Sequence, residues 1–244
     1  MLRRLLACTL ICWLVPLLSW AAPTHVQSPT PVTASFGSTV AIPFASNVTA
    51  GNHLTCHIYA NHGISTVTDS LGQSFSSAVN VTDGATYSLA TFYKENTAGG
   101  ANTVTATFAG TITYASIQCS ERSGVATSGS LDKFASNSQT TPGTGANAVT
   151  SGNVTTTTDG QLIVGWSTAL TLGAGTTSAG TGFTPRTNVF GDTLIEDQVQ
   201  ASAGSIAATF TTTSATSNFI TLITTFKAPA AAAPSYGARL RGAH

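Results

Sequence analysis

The chain predicts an all-β fold: a two-sheet antiparallel β-sandwich, jelly-roll-like, with a concanavalin-like architecture as its nearest variant. Three observations carry the prediction. Short runs rich in threonine and valine recur about every ten residues, the spacing of a sandwich. Nearly every gap between them holds residues that accept positive φ or bond locally to the backbone. No run keeps a helical period over three turns.

The runs follow one another as "STVAIPF" (38–44), "LTCHIYA" (54–60), "GISTVTD" (63–69), "ATYSLATFY" (85–93), "NTVTATF" (102–108) and "TITYASIQC" (111–119). "GQLIVGWSTAL" (160–170), "FTPRTNVF" (183–190), "TLIEDQV" (193–199), "SIAATFT" (205–211) and "NFITLITTFK" (218–227) complete the set. Between them stand "SLGQ", "TDGA", "TAGGAN", "PGTGAN", "TTDGQ", "LGAGTTSAGTG" and "SAGS". β-branched residues suit a pleated, half-buried surface, and glycine and aspartate end each stretch of it.

The first residues, "MLRRLLACTLICWLVPLLSWAAPTH", have the layout of a secretory signal: two arginines, an apolar run and small residues at Ser19 and Ala21. We assign residues 1–21 to a signal peptide, 22–228 to a single β-sandwich domain and 229–244 to a flexible Ala/Pro-rich basic tail. Pro16 and the shortness of the run argue against a retained anchor, and "LLAC" at 5–8 has too little apolar sequence before it for a lipoprotein signal. The expected location is secreted, periplasmic or cell-surface, with no membrane span once the signal is removed.

Charged residues are only 7% of the chain, so hydroxyls and amides must solvate the surface, while 42% apolar content is too high for disorder. Losing Arg3 and Arg4 from nine basic residues leaves seven against nine acidic ones, and a nucleic-acid partner is not expected. Cys8 and Cys12 leave with the leader, and Cys56 and Cys119 remain. Alternation places Leu54, Cys56 and Ile58 on one face and Ala115, Ile117 and Cys119 on another. In an exported chain this favours one buried disulfide between strands, the alternative being two inert buried thiols.

The chain also carries a faint internal repeat. "FYKENTAGGANTVTATF" (92–108) aligns without gaps on "LIEDQVQASAGSIAATF" (194–210), matching charged residues, a small-residue turn and a return strand that closes on Ala-Thr-Phe. One hairpin in each half suits a jelly roll or a related sandwich.

"VTDSLGQSF" (67–75), "FYKENTAGGANTVTATF", "SERSG" (120–124), "TTTDGQLIVGW" and "FITLITTFK" together resemble a family of bacterial secreted β-sandwich modules, often found in exported or phage-associated surface proteins. The resemblance spans nearly the whole mature chain and implies fold and export without a substrate. Cysteines at 56 and 119 depart from it, standing where large apolar or aromatic residues are expected.

Candidate chemistry is sparse. Glu95, Glu121 and Glu196 are the carboxyls that a jelly-roll glycosidase would need in pairs, one to protonate the leaving oxygen and one to attack or activate water. Tyr93 and Trp166 are the aromatic candidates for binding a sugar. Asp69, Asp83, Asp159 and Asp192 stand in turn sequences and are the candidate ligands for calcium, which prefers oxygen; the same residues suit tight turns without any metal. His53 and His57 share a strand face but stand about 13 Å apart if extended, too far to share one ion, with His62 in the next turn. "GWSTA" around Ser167 lacks the helix that a nucleophile elbow requires. "NVT" at Asn47, Asn80 and Asn153 fits a glycosylation sequon, which a threonine-rich chain produces readily.

These observations favour an exported, non-catalytic module for surface binding or structural display, with polysaccharides or cell-envelope components as partners. The alternatives are a carbohydrate-active enzyme using Glu95 with Glu121 or Glu196, and a phage-like particle decoration protein. No cofactor other than calcium is implied.

Overall fold

The computed structural model describes residues 21–83, 87–141, 146–171, 173, 175–213 and 217–230. The expected leader, apart from Ala21, and all but the start of the tail lie outside the described residues.

Every element among the described residues is a strand, and every pairing is antiparallel, as the sequence predicts. The first half holds β1 (Thr24–Gln27), β2 (Val32–Ala34), β3 (Gly37–Pro43), β4 (His53–Ala60) and β5 (Ile64–Asp69). It continues with β6 (Ser76–Asp83), β7 (Tyr87–Lys94), β8 (Thr103–Ile112) and β9 (Ala115–Ser123). The second half holds β10 (Leu131–Thr140), β11 (Asn147–Thr150), β12 (Val154–Thr155), β13 (Gln161–Ala169) and β14 (Thr177–Ala179). It closes with β15 (Thr184–Val189), β16 (Thr193–Gln200), β17 (Ser205–Ile206), β18 (Thr209–Thr212) and β19 (Asn218–Phe226).

Pairing in each half is nested, first strand to last, as in a long hairpin rolled up on itself. In the first half β1 pairs with β9, β3 with β8 and β4 with β7. A Thr68–Ser74 bridge closes the innermost turn. In the second half β10 pairs with β19, β11 with β18, β12 with β17 and β13 with β16. The large sheets run β1-β9-β4-β7-β6 and β10-β19-β13-β16-β15, and the smaller ones β3-β8-β5 and β11-β18-β14. The strand order is therefore the same in both halves, and the strands divide among five sheets.

Burial explains why these residues make these strands. In β8, Val104, Ala106 and Phe108 turn inward while the intervening threonines face out, the alternation expected of a sheet with one wet face. They share a core with Leu54, Cys56 and Ile58 of β4 and Ile117 and Cys119 of β9. A matching core in the second half joins Ile163 and Ala169 of β13, Leu194 of β16, and Phe219 and Ile223 of β19 to Val149 and Phe210. The faint repeat has physical content here. Phe92 and Phe108 point into the first core, and Leu194 and Phe210 point into the second.

Strands β4, β13 and β19 are buried on both faces almost throughout, because a third core lies between the halves. Leu162, Val164, Trp166, Ile195, Leu222 and Phe226 pack there against Tyr59, Val79 and Leu89. The first half contributes a largely polar face to this seam: His53, Thr55, His57, Ser116, Gln118, Ser120 and Arg122 are all at most 2% exposed. Thr55 and Ser120 bond hydroxyl to hydroxyl at 3.0 Å, and the Thr187 hydroxyl donates across the seam to Gln118 at 2.7 Å.

The expected disulfide is present. Cys56 and Cys119 are directly opposed on β4 and β9 with Cα atoms 4.1 Å apart, and their bond faces the first core.

Candidate functional site

The three glutamates serve the scaffold and do not converge. Glu121, on β9, is fully buried and accepts hydrogen bonds from Gln27 Nε2 at 2.6 Å, the Thr49 amide at 2.9 Å and Asn52 Nδ2 at 2.5 Å, tying the loop before β4 to the sheet. Glu95 lies just past β7 and accepts from the amides of Gly129 and Ser130 at 3.0 and 2.8 Å, so it anchors the link between the halves. Burial pushes its carboxyl upward, but the Ser130 and Gly129 hydrogen bonds outweigh that and hold it below the usual range. Glu196 is fully buried on the inner face of β16, accepts from the Gly180 amide at 2.8 Å, and is pushed up to about 8 by burial. A raised pKa is what a general acid needs, yet this carboxyl is closed off from solvent. Glu121 faces the first inner core and Glu196 the second, so two sheets and the seam separate them.

The aspartates are equally dispersed. Both Asp69 oxygens are engaged: Oδ1 by the amides of Leu71 and Gln73, Oδ2 by Gln73 Nε2 and Asn102 Nδ2, at 2.8 to 3.0 Å. Four N–H donors make this a turn anchor, the less ambitious of the two roles its sequence suggested. Asp159 accepts from the Ala203 amide at 2.7 Å, Asp192 is fully buried and Asp83 ends β6. Among the described residues no three His, Cys, Asp or Glu side chains come together as a metal site would require.

Trp166 and Tyr93 belong to the seam. Trp166 is 1% exposed against His57, with ring centroids 5.4 Å apart, and half-buried Tyr93 stacks on His53 at 5.7 Å. Trp166 therefore presents no free face to a sugar, and Tyr93 has one face taken by His53. His53 and His57 are buried and His62 is exposed, so the histidines do not gather. Ser167 lies mid-strand in β13, buried, with its hydroxyl 3.2 Å from that of Thr221.

Two surface features fall outside the sequence candidates. The first is aromatic. Tyr87 stacks on Tyr59 at 5.3 Å, Tyr59 meets Tyr114 at 5.7 Å, and Tyr114 meets Phe190 at 6.0 Å, so a row of rings runs from the seam to the surface. Phe190 is 51% exposed, and Phe36, whose amide donates to the Ile112 carbonyl at 2.9 Å, is 83% exposed. Both phenylalanines flank the β8–β9 turn, and both are left-handed, at φ 57° and 59°. A bulky L-residue with positive φ is strained, and such strain persists where surrounding structure enforces it. Burial pushes the Tyr114 phenol up to about 12, so it stays protonated at neutral pH.

The second feature is a pocket of about 290 Å³ where the seam opens, lined by His25 and Arg122 of the first half and Thr184, Arg186, Asp197 and Gln198 of the second. Arg122 is fully buried and pairs with Asp197 Oδ2, while Arg186 places Nε and Nη2 on Asp197 Oδ1 at 2.9 and 2.7 Å. Burial, then the charges of Arg122 and Arg186, push His25 down to about 4 and keep it neutral. A sequence signal existed, since charge is scarce and "SERSG" and "IEDQ" place it inside strand patterns. Nothing in the sequence says that Arg122 and Asp197, 75 residues apart, should meet.

No family model matches the chain, and no curated protein or solved structure matches it significantly.

Proposed function

We propose that this protein is an exported, non-catalytic module for surface binding or structural display, that glycans of polysaccharides or the cell envelope are its ligands, and that it meets them with the end formed by Phe36, Tyr114 and Phe190. One observation carries the assignment: two strained, exposed phenylalanines flank a single turn at the end of a row of stacked rings. Exposed aromatic faces are platforms for the C–H faces of sugars, and leaving such rings in water is unfavourable without a partner. A non-catalytic role is supported by Glu95, Glu121 and Glu196, whose oxygens hold loops, a link and a core. Export rests on the leader, and a disulfide suits an oxidising compartment.

The test is incubation with a panel of soluble and insoluble polysaccharides, measuring retention and reducing-sugar release together. The expected result is retention without release, lost in Phe36→Ala and Phe190→Ala. Sugar release that disappears in Glu95→Gln would instead establish an enzyme, and retention unaffected by both phenylalanine changes would place the binding face elsewhere.

A further inference from the structure

We infer that the seam pocket is a binding site for a small oxyanion, a carboxylate or phosphate group, independent of the aromatic end. The charge arrangement is the first ground. Two guanidinium groups share the single carboxylate of Asp197, so the pocket wall carries one net positive charge. Because Arg122 is fully buried, that charge is poorly screened by water and acts strongly at the pocket mouth.

The donors are the second ground. Arg122 gives Nη1 to the Glu121 carbonyl at 3.3 Å and Nη2 to Asp197, while its buried Nε has no hydrogen-bond partner. An arginine that shares its counter-charge and keeps an orphaned donor is under-compensated, and a nearby anion offsets the charge deficit through the field it exerts. Direct contact falls to accessible groups. Arg186, its side chain 24% exposed, spends Nε and Nη2 on Asp197 and leaves Nη1 for a ligand. Thr184, Gln198 and the neutral His25, whose Nε2 lies 2.9 Å from Ser28 Oγ, line the same space. Pockets for small molecules run from about 300 Å³ upward, so about 290 Å³ suits a single sugar-sized or smaller molecule.

Titration of the full chain with glucuronate, inorganic phosphate and neutral glucose, followed through the His25 imidazole resonance, tests the site. An anion beside His25 offsets the two arginines, so its pKa rises on binding. Saturable shifts are expected with glucuronate or phosphate and not with glucose, weakened at least tenfold in Arg186→Gln. Thr184→Val, which removes no charge, should weaken binding as well, with a melting temperature near that of the unchanged protein. Response to glucuronate alone assigns the site to a sugar-borne carboxylate, response to phosphate alone assigns it to free phosphate, and response to both supports a general oxyanion site whose source the tighter-bound probe identifies. No saturable shift with either, or equal binding by Arg186→Gln, overturns the proposal.

Discussion

Ser167 and Thr221 face one another across β13 and β19 at the point where the first half carries its disulfide. Cys56 is opposite Phe92 on one side and Cys119 on the other, and Ser167 is opposite Leu194 and Thr221 in the same way. One half crosslinks this position and the other joins it by a 3.2 Å hydroxyl contact. The double change Cys56→Ser with Cys119→Thr should therefore fold. It should lose about 2–4 kcal/mol, because opening a link between residues 63 apart frees the unfolded chain. Urea unfolding of the two proteins measures the difference; an unchanged midpoint would show that the bond adds no stability.

Stability should peak near pH 6.5. Burial holds His53 and His57 down to about 3 against an ordinary 6.5, so the unfolded chain binds more protons between those values and stability is lost as pH falls through that window. Glu196 has the opposite sign. Raised from 4.5 to about 8, it is protonated when folded and ionised when unfolded, so stability falls as pH rises from 4.5 to 8. Unfolding measured across pH should show Glu196→Gln flattening the alkaline limb and His57→Asn reducing the acid slope. Each group can contribute up to about 1.4 kcal/mol per pH unit within its window.

Gly165→Ala should destabilise by about 1–3 kcal/mol through overpacking. A Cβ there would stand 2.7 Å from Ala208 Cβ and 2.9 Å from Glu196 Oε1, inside a closed core. Thermal unfolding is the direct measurement, and a variant as stable as its parent would mean that both the backbone at Ala208 and the Glu196 side chain give way.

Phe36→Asn should raise stability by about 1 kcal/mol, because asparagine tolerates the left-handed backbone that strains phenylalanine. The same change should lower retention on whichever polysaccharide the protein binds. Loss of both stability and retention would instead mean that the Phe36 ring contributes to packing.

Strand positions were legible because local alternation and turn residues encode them, as β8 illustrates with inward Val104, Ala106 and Phe108. The seam was not. Its first-half face is His53, Thr55, His57, Ser120 and Arg122, residues whose chemistry reads as solvent-facing, and only docking of a second sheet buries them. The disulfide was readable because each cysteine continues an apolar face within its own strand. The oxyanion pocket was not, because His25, Arg122 and Arg186 come together through the docking of two halves, beyond the reach of any local period. Trp166 was a candidate for binding a sugar, whereas its position on β13 gives it to the seam.

Nested pairing ties the architecture to the order of synthesis. The first half can close its large sheet once β9 has emerged, but its outward face, with His53, Tyr59 and Leu89, stays uncovered. The second half waits longer, because β19, the last strand among the described residues, takes a place between β10 and β13. A chain cut before Asn218 leaves β10 without a paired strand and β13 with β16 alone, and it takes Leu222 and Phe226 out of the seam. Shielding of the first half's outward face therefore waits on β19, and a product cut short of it exposes the edges of β10 and β13, on which other chains can pair.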